Sequence, residues 1–130
     1  MPRFGRKSTE RLKETDYILQ YILKKAIKVY DFTIIKGYRG KKEQTDAYNK
    51  GLSGLPFPKS KHNIKPSLAV DIAPYPVDWK DEKRFYYLAG LIKGIAHTYG
   101  IGIRWGGDWD GDGSFEDQKF KDLPHFELIF

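Results

Sequence analysis

The sequence contains no cysteine and only three histidines. Without cysteine, neither a disulfide framework nor a cysteine-based zinc ribbon can hold the fold together. No apolar run approaches the roughly 20 residues that a membrane-spanning helix needs. Residues 1–13 carry positive charge with no apolar stretch behind them, so we predict no signal peptide.

What is present describes one folded domain. The chain has 130 residues, of which 40% are hydrophobic and 15% aromatic, enough to bury a core. The net charge of +6 would attract nucleic acid, anionic envelope polymers or acidic membranes, although a solvated basic surface explains it equally well. Because the lysines scatter over predicted helices and loops rather than interleaving with aromatics on one face, we expect no nucleic-acid binding.

The hydrophobic pattern predicts an α+β fold. Helical spacing of apolar residues, with Ser8 as an N-cap, predicts helices over 8–29, 41–51 and 80–99. Short apolar runs predict strands over 32–36, 67–73, 101–107 and 125–130. Residues 52–66 and 108–119 read as loops. We therefore expect a single domain over 1–130, a small antiparallel or mixed sheet of about four strands packed with three helices.

Two histidines lie at predicted strand edges, each with a carboxylate nearby. His62 precedes Asp71, and His125 follows Asp122. Catalytic zinc takes three nitrogen or oxygen ligands from the protein, which His62, Asp71 and His125 could supply, with Asp122 as general base. The remaining histidine, His97, falls on the polar side of the helix over 80–99, and we interpret it as exposed and non-functional.

The motifs Ser60-x-His62, Ala69-x-Asp71 and Asp122-x-x-His125-Phe126-Glu127 resemble those of the zinc D-Ala-D-Ala carboxypeptidase family. That family includes vancomycin-resistance D,D-dipeptidases and the L-alanyl-D-glutamate endopeptidases of phage endolysins. The segment over 31–39, Gln44 and the run from Trp105 to Trp109 stand in the expected order. The spacing from His62 to Asp71 is longer here than in the common family pattern.

The resemblance implies a role for each matching residue. His62, Asp71 and His125 would bind zinc, and Asp122 would be the catalytic base. Arg39 would hold a substrate carboxylate or polarise the scissile carbonyl. Three further residues are candidates for substrate binding, each with a structural alternative: Ser60 (loop capping), Gln44 (internal hydrogen bonding) and Trp109 (packing). Glu127 would either support a ligand histidine or face solvent.

A second metal site is suggested by an acidic loop. Oxygen-bearing side chains stand at positions 1, 3, 5, 7 and 9 of a pattern typical of EF-hand calcium loops, namely Asp108, Asp110, Asp112, Ser114 and Glu116. Gly113 occupies position 6, but Lys119 replaces the usual glutamate at position 12. We hypothesise that calcium orders this loop and raises activity. The alternative is an Asp- and Gly-rich turn without a specific ion.

The resemblance implies a zinc-dependent peptidoglycan peptidase, a phage endolysin that hydrolyses the L-Ala–D-Glu bond and causes host cell lysis. A D-alanyl-D-alanine carboxypeptidase is the near alternative, and a non-catalytic cell-wall-binding module is an alternative of a different class. We expect a monomer that is made in the host cytoplasm and acts in the periplasm or cell wall after holin-mediated release. The anionic envelope is the expected partner of its basic surface.

Overall fold

Residues 2–116 and 120–130 are described by a computed structural model. Its helices are α1 (Arg6–Leu12), α2 (Tyr17–Ile27), α3 (Lys41–Asn49) and α4 (Glu82–Thr98), with a short 3-10 helix at Lys61–Asn63. Its strands are β1 (Phe32–Lys36), β2 (Ala69–Pro74), β3 (Ile103–Trp105) and β4 (His125–Leu128). They form one antiparallel sheet in the order β1-β2-β4-β3. The predicted α+β class is confirmed.

The prediction of one helix over 8–29 was wrong, because the helix is interrupted between the end of α1 and the start of α2. Asp16 caps α2, its carboxylate accepting a hydrogen bond from the amide of Ile18. The backbone around the break bonds to Ser67 instead of continuing the helix: the amide of Asp16 donates to Ser67 O, and the amide of Ser67 donates to Glu14 O. The described residues therefore contain four α-helices rather than three.

Ser8 is not an N-cap. It lies inside α1, buried against β1, where its hydroxyl accepts a hydrogen bond from the amide of Ile34 and bonds the hydroxyl of Thr33. Arg11, one turn further on, donates to the carbonyl of Ile34. Helix α1 thus covers the outer edge of β1, which would otherwise offer unpaired backbone groups to another chain.

Helices α2 and α4 supply the other half of the core. Their apolar stripes are buried, through Leu19, Ile22, Leu23 and Ala26 on α2 and Phe85, Leu88, Ala89 and Ile92 on α4. Both stripes belong to one core cluster with apolar side chains from all four strands. The exposed side of α2 carries Tyr17, Ile18 and Tyr21 beside its lysines. No helix of the described residues has the length and apolar character to span a membrane.

The sheet has one apolar and one polar face. Side chains alternate between faces along a strand, so Val70 and Ile72 of β2 and Phe126 and Leu128 of β4 join the core. Their neighbours point the other way, and the same alternation holds for β3. The polar face therefore carries Asp71, His125, Glu127 and Arg104, and cross-strand register pairs Asp71 with His125 and Arg104 with Glu127.

Candidate metal centre

The short 3-10 helix positions His62 over the polar face of the sheet. Ser60 caps this helix: its hydroxyl accepts from the amide of His62, and the Asn63 side chain accepts from the amide of Ser60 in return. The carbonyl of His62 accepts a further hydrogen bond from the amide of Arg39. The long loop predicted over 52–66 therefore contains a hydrogen-bonded helical turn at His62, and His62 is buried.

His125 is placed by a tight turn that also holds Asp122. The amide of His125 donates to Asp122 O, and the amide of Asp122 donates to Gly106 O. The two segments touch so closely that a Cβ on Gly106 would lie 2.1 Å from Asp122 O, a distance that no side chain tolerates. Glycine at 106 is therefore a requirement of this turn, and through it of the position of His125.

Three side-chain atoms converge in a nearly equilateral triangle. Nε2 of His62 lies 3.2 Å from Oδ1 of Asp71 and 3.2 Å from Nδ1 of His125, and the third edge, from Nδ1 of His125 to Oδ1 of Asp71, is 3.3 Å. Tetrahedral zinc with bonds of about 2.0–2.1 Å requires ligand atoms roughly 3.3–3.4 Å apart. The triangle therefore has the dimensions of three corners of a zinc tetrahedron. The longer spacing between His62 and Asp71 has not separated them.

The outward atoms of both rings show which atoms face inward. Nδ1 of His62 lies 2.7 Å from Gly37 O, which can only accept, so this nitrogen carries the hydrogen. Nε2 of His125 lies 2.8 Å from Oε1 of Glu127 and donates to it. In neutral rings, two imidazole lone pairs and a carboxylate oxygen then point at one another. Such a donor set needs a cation at its centre, either a proton or a metal ion.

The electrostatics of the site point the same way. Burial alone would raise the pKa of Asp71, but the charge of His62 and hydrogen bonds from both histidines hold it well below its usual range. Burial alone would lower the pKa of His125, but hydrogen bonds to Asp71 and Glu127 outweigh it and raise that pKa to about 9. Without a metal, the site thus captures a proton, which a metal ion would displace.

Asp122 stands beside the triangle with a different environment. Burial, reinforced by the negative charge of Asp71, raises the pKa of Asp122 to about 6. Its side chain lines the same cavity as His62 and His125. A carboxyl group with a pKa near neutrality can both accept and return a proton, as a general acid–base catalyst must.

Arg39 connects the triangle to a buried polar network. Its Nη2 donates to Oδ2 of Asp71 at 3.3 Å, the oxygen that faces away from the histidines, and its Nη1 donates to Oε1 of Gln44 at 3.1 Å. Gln44 is fully buried, and its amide group donates to the hydroxyl of Ser53 and to Leu55 O. Gln44 therefore supports Arg39 from beneath and does not line the cavity.

An open cavity of about 520 Å³ lies over the triangle. Ser60 and Trp109, both candidates for substrate contact, are among its lining residues, as are Arg39 and Asp122. The Trp109 ring packs 5.2 Å from the His125 ring, centre to centre. The structure thus brings these four residues together around the three candidate ligands, while His97 is exposed on α4 outside the cavity lining.

Two contributions to the site were not resolved by sequence reasoning. Glu127, left open between a support role and a solvent-facing one, is buried against His125. Arg104 lines the cavity and contacts Glu127, and no motif in the sequence predicts this. The signal for Arg104 was its place in the middle of a short strand, but its face follows only from the register with β4.

The acidic loop places three of its carboxylates together. Oxygens of Asp108, Asp110 and Asp112 lie within 4.8 Å of one another. Asp108 is buried, and its Oδ1 has no hydrogen-bond partner among the described residues, whereas Oδ2 accepts from the amide of Gly113. A buried carboxylate oxygen without a donor suits a cation ligand. Lys119, at position 12 of the loop pattern, lies outside the described residues.

Comparison with known proteins identifies close similarities along the whole chain. Residues 1–129 match the family described as phage L-alanyl-D-glutamate peptidase. The L-alanyl-D-glutamate peptidase of Escherichia phage T5 is 32% identical over 136 residues, covering 98% of this chain and 98% of that protein. The crystal structure of the L-Ala D-Glu endopeptidase ChiX from Serratia marcescens aligns with a TM-score of 0.77 and 25% identity, covering 98% of this chain and 91% of that one.

Proposed function

The chain belongs to the phage L-alanyl-D-glutamate peptidase family, and from that premise we propose that it is a zinc-dependent endopeptidase that cuts the L-Ala–D-Glu bond of peptidoglycan. Residues 1–130 would act as one catalytic domain. The observation that carries the zinc assignment is the triangle of inward-facing atoms on His62, Asp71 and His125, with edges of 3.2–3.3 Å. Cell lysis by the phage would be its biological outcome.

In this proposal the triangle holds the metal and its neighbours orient the ligands. Gly37 O and Glu127 fix the two imidazole rings through their outward N–H groups, which sets the tautomers and increases the basicity of the inward nitrogens. Arg39 holds the outward oxygen of Asp71. When bound, zinc would acidify a water molecule and polarise a carbonyl group.

Asp122 moves the proton. Its carboxylate accepts a proton from the attacking water as the water oxygen bonds to the carbonyl carbon of L-Ala. Its acid form then returns the proton to the amide nitrogen as the carbon–nitrogen bond breaks, so that the amine of D-Glu leaves neutral. The raised pKa of Asp122, about 6, suits both transfers.

Arg39 would assist at the carbonyl oxygen. A guanidinium group has five N–H donors, and the contacts of Arg39 to Gln44 and Asp71 occupy one on each terminal nitrogen. We propose that a remaining N–H of Arg39, at the cavity wall, donates to the oxygen of the scissile carbonyl as negative charge develops on it. Ser60 and Trp109 would contact the peptide on either side of this point.

The function is tested by digesting purified peptidoglycan and identifying the products by mass spectrometry. We expect a new N-terminal D-Glu on the released peptides, loss of cleavage in EDTA, and recovery with stoichiometric zinc. His125→Ala should lose both zinc and cleavage, whereas His97→Ala, which changes the exposed histidine on α4, should keep both. Release of D-Ala instead, or full cleavage by His125→Ala, would contradict the proposal.

We also propose that a calcium ion binds the acidic loop and supports activity. Oδ1 of Asp108, which has no partner within residues 2–116 and 120–130, would supply the buried ligand, and Asp110, Asp112, Ser114 and Glu116 follow in EF-hand order. The next residue, Trp109, packs on His125, and Asp110 lines the cavity. An ion that orders this loop would therefore also order one wall of the active site.

The calcium proposal is tested with Asp108→Asn, which removes a charge while keeping the side-chain size. Calcium should raise the melting temperature and the cleavage rate of the zinc-loaded wild type, and Asp108→Asn should lose both responses. Asp46→Asn on α3 is the matched control and should respond to calcium as the wild type does. A wild type whose melting temperature and rate are indifferent to calcium would refute this part alone.

Delivery to the wall completes the proposal. We propose that the enzyme acts in the periplasm or cell wall after release from the host cytoplasm through a holin, and that its net charge of +6 favours the anionic envelope. Lysis of outer-membrane-stripped cells should then slow as salt is raised, because screening weakens the attraction. A rate independent of salt would remove the role of charge.

A further inference from the structure

Arg104 places a positive charge at the cavity, on the polar face of the edge strand β3. It is the register partner of Glu127, two residues along β4 from His125, so Arg104 and His125 are diagonal neighbours across the strand pair. Diagonal neighbours lie about 7–8 Å apart, which a long side chain spans. The guanidinium group of Arg104 therefore lies no further from the metal-ligand triangle than about the length of one amino-acid residue.

Among the cations around the site, Arg104 is the least engaged. Arg39 is 17% exposed and bonds both Asp71 and Gln44. Lys61 is 29% exposed and bonds both Glu127 and the carbonyl of Leu128. Arg104 is 41% exposed, and its one hydrogen bond within the described residues is a long contact of 3.5 Å to Glu127.

Glu127 does not depend on this contact. Its Oε1 accepts from His125 at 2.8 Å, and its Oε2 also lies 3.4 Å from Lys61. Arg104 can therefore turn towards a ligand without leaving a buried carboxylate unpaired. Most of its fork of donors, a shape that matches a carboxylate, is left for that ligand.

The substrate in the proposed function carries such a carboxylate. Glutamate has two carboxyl groups and only one of them can continue the peptide, so the residue that follows the scissile bond keeps a free carboxylate. If the chain continues through the side chain, this carboxylate sits on the Cα beside the scissile nitrogen. This free carboxylate would then lie close to the metal-ligand triangle, where a cationic side chain could bind it.

Resting on the proposed function, we propose that Arg104 binds the free carboxylate of the D-Glu that follows the scissile bond, and that it thereby sets a preference for an acidic residue at that position. Arg104 is then a specificity-determining residue for the reaction. Stem peptides in which this carboxylate is amidated would be poor substrates, because the amide offers one acceptor oxygen and no charge to the guanidinium.

The test crosses two substrates with four enzymes. The substrates are synthetic peptides that contain L-Ala–D-Glu or L-Ala–D-isoglutamine and are otherwise identical, and the enzymes are zinc-loaded wild type, Arg104→Gln, Arg104→Lys and Arg6→Gln. Arg6→Gln removes the same charge from a side chain that is 92% exposed on α1. Zinc content and melting temperature are measured for each enzyme, since Arg104 contacts Glu127 and Glu127 contacts His125.

We expect wild type and Arg6→Gln to favour the carboxylate substrate in kcat/KM by about 10- to 100-fold, the worth of a charge-assisted hydrogen bond. Arg104→Gln should lose this preference by cutting the carboxylate substrate more slowly while the amide substrate changes by less than about threefold. Arg104→Lys should keep part of it.

An unchanged preference in Arg104→Gln, or equal losses on both substrates, would overturn the role of Arg104 while leaving the proposed function intact. If zinc-loaded wild type cuts neither peptide between L-Ala and the acidic residue, the proposed function fails and this inference fails with it.

Discussion

Removing Glu127 should weaken zinc binding although Glu127 is not a ligand. Its Oε1 accepts the outward N–H of His125 at 2.8 Å in a buried setting, which holds the ring so that Nδ1 faces the triangle. Burial alone would raise the pKa of Glu127, but the hydrogen bond to His125 and the charges of His125 and Lys61 lower it, so the carboxylate stays ionised. An ionised acceptor makes the ligand nitrogen more basic.

The size of the effect follows from what each substitution leaves behind. Loss of such a supporting partner costs 10- to 100-fold in metal affinity, or about 1.4–2.7 kcal/mol. Glu127→Gln keeps an oxygen that can accept from His125 but loses the charge, so we expect zinc to bind about 10-fold more weakly. Glu127→Ala loses both, and we expect about 100-fold weaker binding.

The assay is competition for zinc with a chromophoric chelator at fixed pH, which gives Kd directly. Glu10→Gln is the matched control, since Glu10 is 63% exposed on α1 and contacts Arg6. Melting temperatures of the metal-free variants show whether Lys61 and Arg104 suffer from the loss of their partner. A Kd for Glu127→Ala within about threefold of wild type, with the fold intact, would refute the view that Glu127 orients His125.

Three further predictions concern protons and packing. Because the pKa of His125 in the metal-free protein is about 9, zinc binding at pH 7 should release about one proton, measured by calorimetry in buffers of different ionisation enthalpy, and zero release would contradict this. The pKa of Asp122 is raised from 3.8 to about 6, so Asp122 holds its proton more tightly in the folded protein than in the unfolded chain. The stability it contributes is full below about pH 4 and is lost as pH rises through about 6, by up to about 3 kcal/mol. Asp122→Asn should therefore raise the melting temperature of the metal-free protein at pH 8 but not at pH 4. Gly106→Ala should cost about 1–3 kcal/mol and weaken zinc binding, since its Cβ would displace the Asp122 carbonyl, whereas Gly54→Ala, with open space around its Cα, should change neither.

One strand and two of the helices could be predicted closely because the spacing of their apolar residues and their end signals are local features of the sequence. The strand over 32–36 has the observed bounds of β1, and the helices over 41–51 and 80–99 match α3 and α4 to within two residues at each end. The break between α1 and α2 was missed because apolar spacing continues across it. Asp16 ahead of Tyr17 is a local N-cap signal, but the bonds from residues 14–16 to Ser67 are set by the tertiary fold.

The candidate ligands could be named from sequence because their chemistry is rare in this chain, which has three histidines, and because their motifs resemble a known family. The groups that orient these ligands could not be named from the sequence. The orientation of Glu127 depends on the pairing of β4 with β2, and the presence of Arg104 at the cavity depends on the pairing of β3 with β4. A shift of β3 by one residue would send Arg104 into the core. Gly37 accepts from His62 through its carbonyl, which no side-chain pattern reveals.

Anomalous diffraction at the zinc edge, from crystals of the zinc-loaded protein, tests the proposed metal centre directly. We predict one strong peak about 2.0–2.1 Å from Nε2 of His62, Oδ1 of Asp71 and Nδ1 of His125. We also predict that Nε2 of His125 remains bonded to Glu127. Zinc bound elsewhere with none within the triangle, or bound through Nε2 of His125, would contradict the proposed metal centre.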